Sequence, residues 1–284
     1  LAEIAAAKRF VIGWRPEGRP MSWLPPGNAE PDGFSVALCR RIADAVAERI
    51  CNATGTKIEV HFRPVTEAKN ERFRALEDRR IDILCGTTTR TLSRAEEFDI
   101  DFTLPVFLTG GVFASPNRKA ARVRGLQDLR GGVLGVLDDT TTSAVLEPRV
   151  DAQGDVTLVY LRSLSGGLRC LLDAPCPVRL RDGSRADVSL DAVAGDQLTL
   201  LRQRDAADLT AEEVWVSRDF FSFEPYALAI SSERRDLRLL ADRVLSQVYR
   251  GEEVKTLLSI YIERLGGNLP QALLNYYTII AIPE

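Results

Sequence analysis

The stretch Cys85-Gly86-Thr87-Thr88-Thr89-Arg90-Thr91-Leu92-Ser93-Arg94 crowds threonine hydroxyls ahead of an arginine. A guanidinium takes a carboxylate in two parallel charge-assisted hydrogen bonds, and hydroxyls and backbone N–H groups supply the remaining donors. The pattern therefore suits capture of a small carboxylate. It equally suits a threonine-rich helix cap followed by a surface arginine, and the spacing leaves both open. Other chemistry is poorly provided for. The one histidine, His61, lies on the polar side of a predicted strand, so a nucleophilic triad, a Cys-His pair or a zinc cluster would each have to be built on it. Gly110-Gly111 and Gly131-Gly132 lack the spacing of a phosphate-binding loop. No catalytic residue, metal or cofactor is expected. The five cysteines, Cys39, Cys51, Cys85, Cys170 and Cys176, form no CxxC pair and read as buried small hydrophobes. Cys170 and Cys176 are close enough in sequence for a local bridge or for two separate thiols.

The elements that must position these residues alternate between two periods. Lys8 to Gly13 reads as a strand, and residues 35–50 place Leu38, Ile42, Ala45, Val46 and Ile50 on one helical face. Ile58 to Val65 alternates as a strand. Asn70 is placed to cap a helix carrying Phe73 and Leu76, and Ile81 to Cys85 is a buried strand ending at Gly86. The threonine loop thus leaves the carboxyl end of a strand, where open α/β sheets bind ligands. The extended run Asp101 to Ala114 leads into a basic loop, Pro116 to Arg124. A second series follows: strand Val133–Leu137, a threonine-rich turn, strand Val156–Leu161, helix Gly167–Leu172, strand Val188–Val193 and helix Gln197–Gln203. Pro175 to Arg185 interrupts this series as a surface hairpin or insertion. Val214–Val216 and the return strand Phe223–Ser231 precede two C-terminal helical patterns, the second ended by Gly266-Gly267.

At 284 residues the chain is long enough for two cores. It is 45% hydrophobic and 27% charged, with a net charge of −3 and both signs scattered, so no field points to nucleic acid or an anionic membrane. No apolar run approaches the ~20 residues of a membrane span. The α/β pattern divides into a lobe of residues 1–108 and 224–284 and a lobe of 109–223, with two crossing strands as hinge.

A resemblance covers nearly the whole chain. Gly33-Phe34-Ser35-Val36, Arg63-Pro64-Val65-Thr66, Asn70-Glu71-Arg72 and Asp82-Ile83-Leu84-Cys85-Gly86-Thr87-Thr88-Thr89 with Arg94 resemble the polar amino-acid branch of the bacterial periplasmic solute-binding proteins (family 3). Thr140-Thr141-Thr142-Ser143, Ala192-Val193-Ala194-Gly195-Asp196 and Phe223-Glu224-Pro225-Tyr226-Ala227-Leu228-Ala229-Ile230 continue it, and the glutamate/aspartate-binding members look closest. The resemblance implies a two-lobed type II periplasmic-binding-protein fold. It implies that Arg94 and Thr89 bind the ligand α-carboxylate, that Thr87 and Asp196 receive the α-ammonium, and that Thr141 and Thr142 close on the carboxylate from the second lobe. Asp196 also makes chemical sense alone, as a counter-charge for a buried ammonium, or as a plain helix N-cap. Arg15 and Arg72 match positions that hold a side-chain carboxylate. One departure stands out: Leu164 replaces a histidine of the acidic-ligand members, which keeps a neutral side chain such as glutamine in play.

The implied function is extracytoplasmic delivery of a polar, acidic amino acid to the membrane permease of an ABC transporter by flytrap closure, as a monomer without nucleic acid. The opening at Leu1, without a basic and apolar leader, fits a cytoplasmic chain or one whose signal peptide has been removed or lies outside this sequence; the resemblance implies a periplasmic location, with the signal peptide removed. The rivals are a receptor or channel sensing domain, disfavoured by the Ile282-Pro283-Glu284 ending, and an enzyme on this scaffold like the cyclohexadienyl dehydratases, disfavoured by the single histidine.

Overall fold

The computed structural model describes residues 1–16, 18–66, 70–118, 122–173, 175–262 and 271–283. The chain begins with α1 (Ala2–Ala7), β1 (Arg9–Trp14), α2 (Phe34–Thr54), β2 (Glu59–Pro64), α3 (Glu71–Glu77), β3 (Ile83–Cys85) and α4 (Leu92–Glu97). The long strand β4 (Ile100–Pro116) leads to β5 (Val133–Leu137), α5 (Thr141–Gln153), β6 (Thr157–Leu161) and α6 (Leu164–Cys170). Then come β7 (Cys176–Arg179), β8 (Arg185–Val188), β9 (Ala192–Asp196), α7 (Gln197–Ala206) and β10 (Val214–Val216). The last elements are β11 (Ser222–Ser231), α8 (Arg235–Arg250), α9 (Glu253–Tyr261) and α10 (Gln271–Ile280). The proposed helix stop at Gly266-Gly267 and part of the basic loop, residues 119–121, lie outside the described residues.

Contacts divide the chain into two compact units, Leu1–Leu108 with Pro225–Glu284 and Thr109–Glu224. In the first, β1 lies between β2 and β3 in parallel, and β11 runs antiparallel to β3 with Ala229 opposite Leu84. The alternation predicted for β2 is shallow: Val60 and Phe62 are half-buried and Glu59 is exposed, because β2 is the edge of its sheet. The predicted face of α2 is buried through Leu38, Ile42, Val46 and Ile50, and Gly55 ends the helix in the left-handed region. Phe73, Leu76, Ile81, Leu84, Phe98 and Phe102 form a core with Ala227 and Ala229 of β11.

The second unit orders its strands β4-β9-β5-β6-β7-β8, with β10 on the other side of β4. Strands β5 and β6 are parallel over their full lengths, and β7 with β8 forms an antiparallel hairpin at the edge, where the sequence breaks its pattern. The sheet is sandwiched by two clusters. One holds Val159, Leu164, Leu168, Leu171 and Leu200; the other holds Phe113, Leu134, Val136, Leu146 and Val150.

Three expectations are corrected. The threonine-rich turn opens the 13-residue helix α5, which the sequence conceals because Pro148 lies inside it and its apolar residues fall on no single face. The helix after β6 starts at Leu164 rather than Gly167, since the Ser163 hydroxyl accepts the Gly166 N–H at 3.1 Å and caps it. Cys39 and Cys85 are joined in a disulfide between α2 and β3, and Cys170 and Cys176 in a second at the base of the hairpin, while Cys51 is an exposed free thiol. Burial was the right environment for Cys39 and Cys85, but not the reason for them.

Candidate functional site

In the first unit, the loop leaving β3 is held against the start of β11. Ala227 N–H donates to the Thr88 carbonyl at 3.0 Å, Arg90 N–H donates to the Pro225 carbonyl at 2.8 Å, and Thr89 pairs with Tyr226 in an isolated bridge. Thr88 and Thr89 are buried as a result. Thr91 then caps α4, its hydroxyl accepting the Arg94 N–H at 3.2 Å, so that Arg94 sits in the first turn of that helix. Arg94 Nη1 donates to the Thr89 carbonyl at 2.9 Å, and its guanidinium carbon lies 5.6 Å from the centre of the Phe73 ring. The Arg72 guanidinium carbon lies 4.4 Å from that same centre, and Phe73 is in turn stacked on Phe98 at 4.9 Å. One aromatic ring thus orients two arginines.

Arg15 follows β1. Its backbone N–H donates to the Ser22 hydroxyl at 2.9 Å, and its Nη1 donates to the Thr87 carbonyl at 3.1 Å and to the Thr87 hydroxyl. Arg15 and Arg72 are 7% and 5% exposed, which separates them from ordinary surface arginines. The structure therefore brings Arg15, Arg72, Thr87, Thr89 and Arg94 into one cluster through Thr87, the β3–α4 loop and Phe73. Asn70, placed to cap α3, makes no cap hydrogen bond: it occupies the left-handed region at φ 56°.

The second unit gathers the remaining candidates around two helix starts. Thr140 caps α5, its hydroxyl accepting the Ser143 N–H at 3.1 Å, which leaves Thr141 and Thr142 in the first turn. The first N–H groups of a helix have no partner within it and carry partial positive charge, so this turn suits an anionic group. Asp196 ends β9 and caps α7, Oδ1 accepting the Thr199 N–H at 2.8 Å. The cap uses Oδ1, so the helix N-cap reading of Asp196 holds within the second unit.

Sequence reasoning missed Glu224. It was taken only as part of the return strand, yet its side chain is 3% exposed and its Oε2 accepts the Thr141 hydroxyl at 2.8 Å. The available signal was a carboxylate set directly before Pro225 inside the apolar run Phe223 to Ile230. Leu164 also reads differently in three dimensions: it is 7% exposed within the apolar cluster under the sheet. His61 is exposed beside Glu59, and among the described residues no group of three or more His, Cys, Asp or Glu side chains is placed to hold a metal ion.

These units have the type II periplasmic-binding-protein fold. The chain matches the P235GK mutant of ArgBP from T. maritima with a TM-score of 0.66 at 20% identity, over 92% of this chain and 98% of that one. It matches an ABC uptake transporter substrate-binding protein from Streptococcus pneumoniae with bound histidine at 0.68 and 15% identity, over 92% and 95%. It also matches the ancestral amino acid-binding protein AncCDT-1, a precursor of cyclohexadienyl dehydratase, at 0.64 and 19% identity, over 92% and 98%.

Residues 10–264 match the model of the bacterial extracellular solute-binding proteins, family 3, and the chain belongs to that family. It is similar to the glutamate/glutamine/aspartate/asparagine-binding protein BztA of Rhodobacter capsulatus, 30% identical over 142 residues, 50% of this chain and 38% of that protein. It is also similar to the general L-amino acid-binding periplasmic protein AapJ of Rhizobium johnstonii, 34% identical over 122 residues, 41% and 33%. The chain thus matches between 33% and 38% of the length of these curated relatives.

Proposed function

We propose that this chain binds a free polar α-amino acid outside the cytoplasm and presents it, unchanged, to the membrane permease of an ABC transporter. The observation that carries the reading is Arg94, a guanidinium fixed at the start of α4 by the Thr89 carbonyl and the Phe73 ring in the loop after β3. In this reading Arg94 and Thr89 take the α-carboxylate, Asp196 with Thr87 takes the α-ammonium, and the first turn of α5 at Thr141 and Thr142 adds N–H donors. Ligand stabilises a closed form by contacting both units, in proportion to the contacts that only that form makes. The protein acts as a monomer, needs no cofactor and carries out no turnover. The two disulfides favour an oxidising compartment and hence an extracytoplasmic location.

The side chain is chosen by groups other than Arg94. Arg15 and Arg72 are buried donors, which supports a side chain ending in an oxygen acceptor: glutamate or aspartate, or their amides. Family membership and the ligands named for BztA are compatible with both.

The test is a thermal-shift screen over the common amino acids followed by calorimetry. A ligand that binds only the folded state adds about 2.7 kcal/mol at a hundredfold excess over its Kd, and the melting temperature rises with its concentration. A polar amino acid is expected to do this, and prephenate or arogenate incubated with the protein is expected to remain unconsumed. No shift with any amino acid, or turnover of either compound, defeats the proposal.

A further inference from the structure

We infer, resting on the amino-acid-binding reading, that Ser35 and the disulfide-bonded pair Cys39 and Cys85 are positioning residues. They hold the end of β3 from helix α2, so that Thr87 and Arg15 are in binding geometry before a ligand arrives.

All the groups concerned lie in the first unit. Pairing with β1 carries β3 as far as Cys85, which stands opposite Trp14. The later part of the loop is sewn to β11 by its backbone, through the Thr88 carbonyl, the Thr89–Tyr226 bridge and the Arg90 N–H. Gly86 and Thr87 lie between these two supports, and side chains hold them. The Ser35 hydroxyl donates to the Gly86 carbonyl at 3.3 Å. Arg15 Nη1 donates to the Thr87 carbonyl at 3.1 Å and to its hydroxyl. Arg15 also lies close along Gly86, where a Cβ would stand 3.3 Å from Arg15 Cδ.

Helix α2 makes the grip. Ser35 and Cys39 are four residues apart and so share one face, and from it they take hold of Gly86 and Cys85, two consecutive residues. The helix is itself anchored in the core through Leu38, Ile42, Val46 and Ile50. The disulfide thus ties a fixed helix to a point two residues before Thr87. Ser35, Cys39 and Cys85 are fully buried, and a buried cysteine is chemically inert, so the bond is a permanent support of the folded chain.

A contact residue must be held to within about 0.5 Å of its productive position by groups that do not themselves touch the ligand. When a loop is in binding geometry only part of the time, the apparent Kd rises by the inverse of that fraction. Without the tie, Gly86 and Thr87 gain other conformations, and Arg15, which leans on Thr87, follows them. The second disulfide offers a comparison. Cys170–Cys176 joins α6 to β7 in the other unit, outside this loop, so it contributes to stability without holding Thr87.

The test uses calorimetry and stopped-flow fluorescence on wild type and three variants, at a temperature where circular dichroism shows each to be folded. The probe is whichever of the common L-amino acids raises the wild-type melting temperature most. The Cys39→Ala, Cys85→Ala double variant is expected to bind it about tenfold more weakly, with the loss mainly in the association rate. Ser35→Ala is expected to weaken binding about threefold. The Cys170→Ala, Cys176→Ala control is expected to stay within about twofold of wild type, as independent sites do. A folded Cys39→Ala, Cys85→Ala variant with wild-type affinity overturns the inference, and so does a control that weakens binding as much. If the first variant does not fold, Ser35→Ala decides: a loss of affinity supports the inference and an unchanged affinity overturns it. In each of these cases wild type binds and the amino-acid reading stands. Wild-type protein that responds to no amino acid removes both.

Discussion

At the scale of single residues, Arg94 illustrates how a side chain is prepared for a ligand before the ligand arrives. Its helix position comes from the Thr91 cap, and its guanidinium is set by the Thr89 carbonyl and the Phe73 ring. Arg94 lies outside the hydrophobic core, so Arg94→Ala is expected to keep the circular dichroism of wild type and to lower the melting temperature without ligand only slightly. Affinity for the cognate amino acid, measured by calorimetry, is expected to fall by about 2–5 kcal/mol, the cost of orphaning a desolvated charge. Arg94→Lys recovers only part of this, because an ammonium cannot make the planar two-point contact. Arg94 and the threonines stood out in the sequence as candidates because residue types and spacing are local features. Glu224 was not, because its significance lies in a partner 83 residues away.

At the scale of elements, caps and strand ends position the candidates, and α5 and α6 show where pattern reading stops. A helix with Pro148 inside and apolar residues on no single face gives no periodic signal; it forms because Thr140 caps it and Leu146 and Val150 are buried against the sheet. Leu164, read as a loop residue, belongs to α6 because Ser163 caps one turn earlier than the glycines suggest. Helix α8 was legible, since Leu237, Leu240, Val244 and Val248 recur on its buried face. That helix also carries Asp242, whose carboxylate accepts the Leu104 N–H of β4 at 2.7 Å and Arg238 Nη1 at 3.0 Å. Burial pushes its pKa above the ordinary 3.8, with the charge of Asp101 adding to the rise and the Leu104 and Arg238 contacts opposing it. A carboxyl with a raised folded pKa contributes stability when protonated, below its unfolded value, and loses that contribution as pH rises through the folded value. Asp242→Asn cannot ionise, so its melting temperature relative to wild type is expected to climb as pH is raised from below 3.8 toward neutrality. A difference that stays flat or falls over that range contradicts the assignment.

At the scale of the whole molecule, two compact units are joined by β4 and β11, whose residues fall on both sides of the division. The first is stapled by Cys39–Cys85, which closes a separation of 46 residues. In the chain-entropy picture a loop of that length is worth about 4 kcal/mol at 25 °C. The Cys39→Ala, Cys85→Ala double variant is therefore expected to lose a few kcal/mol in urea unfolding under oxidising conditions, and a reducing agent is expected to bring wild type down toward it. Thiol titration of the unfolded, unreduced protein should find Cys51 alone. The sequence by itself determined the alternation of strands and helices, the family and the arginine-threonine loop, because periodicity, capping and motif spacing are local and survive without long-range contacts. Tertiary structure alone decided which cysteines pair, that Leu164 turns into the core, that Arg15 and Arg72 are buried, and that Glu224 stands at Thr141. Each of those facts depends on groups distant in the chain being brought within a few ångströms, and burial and charge pairing act only at that range.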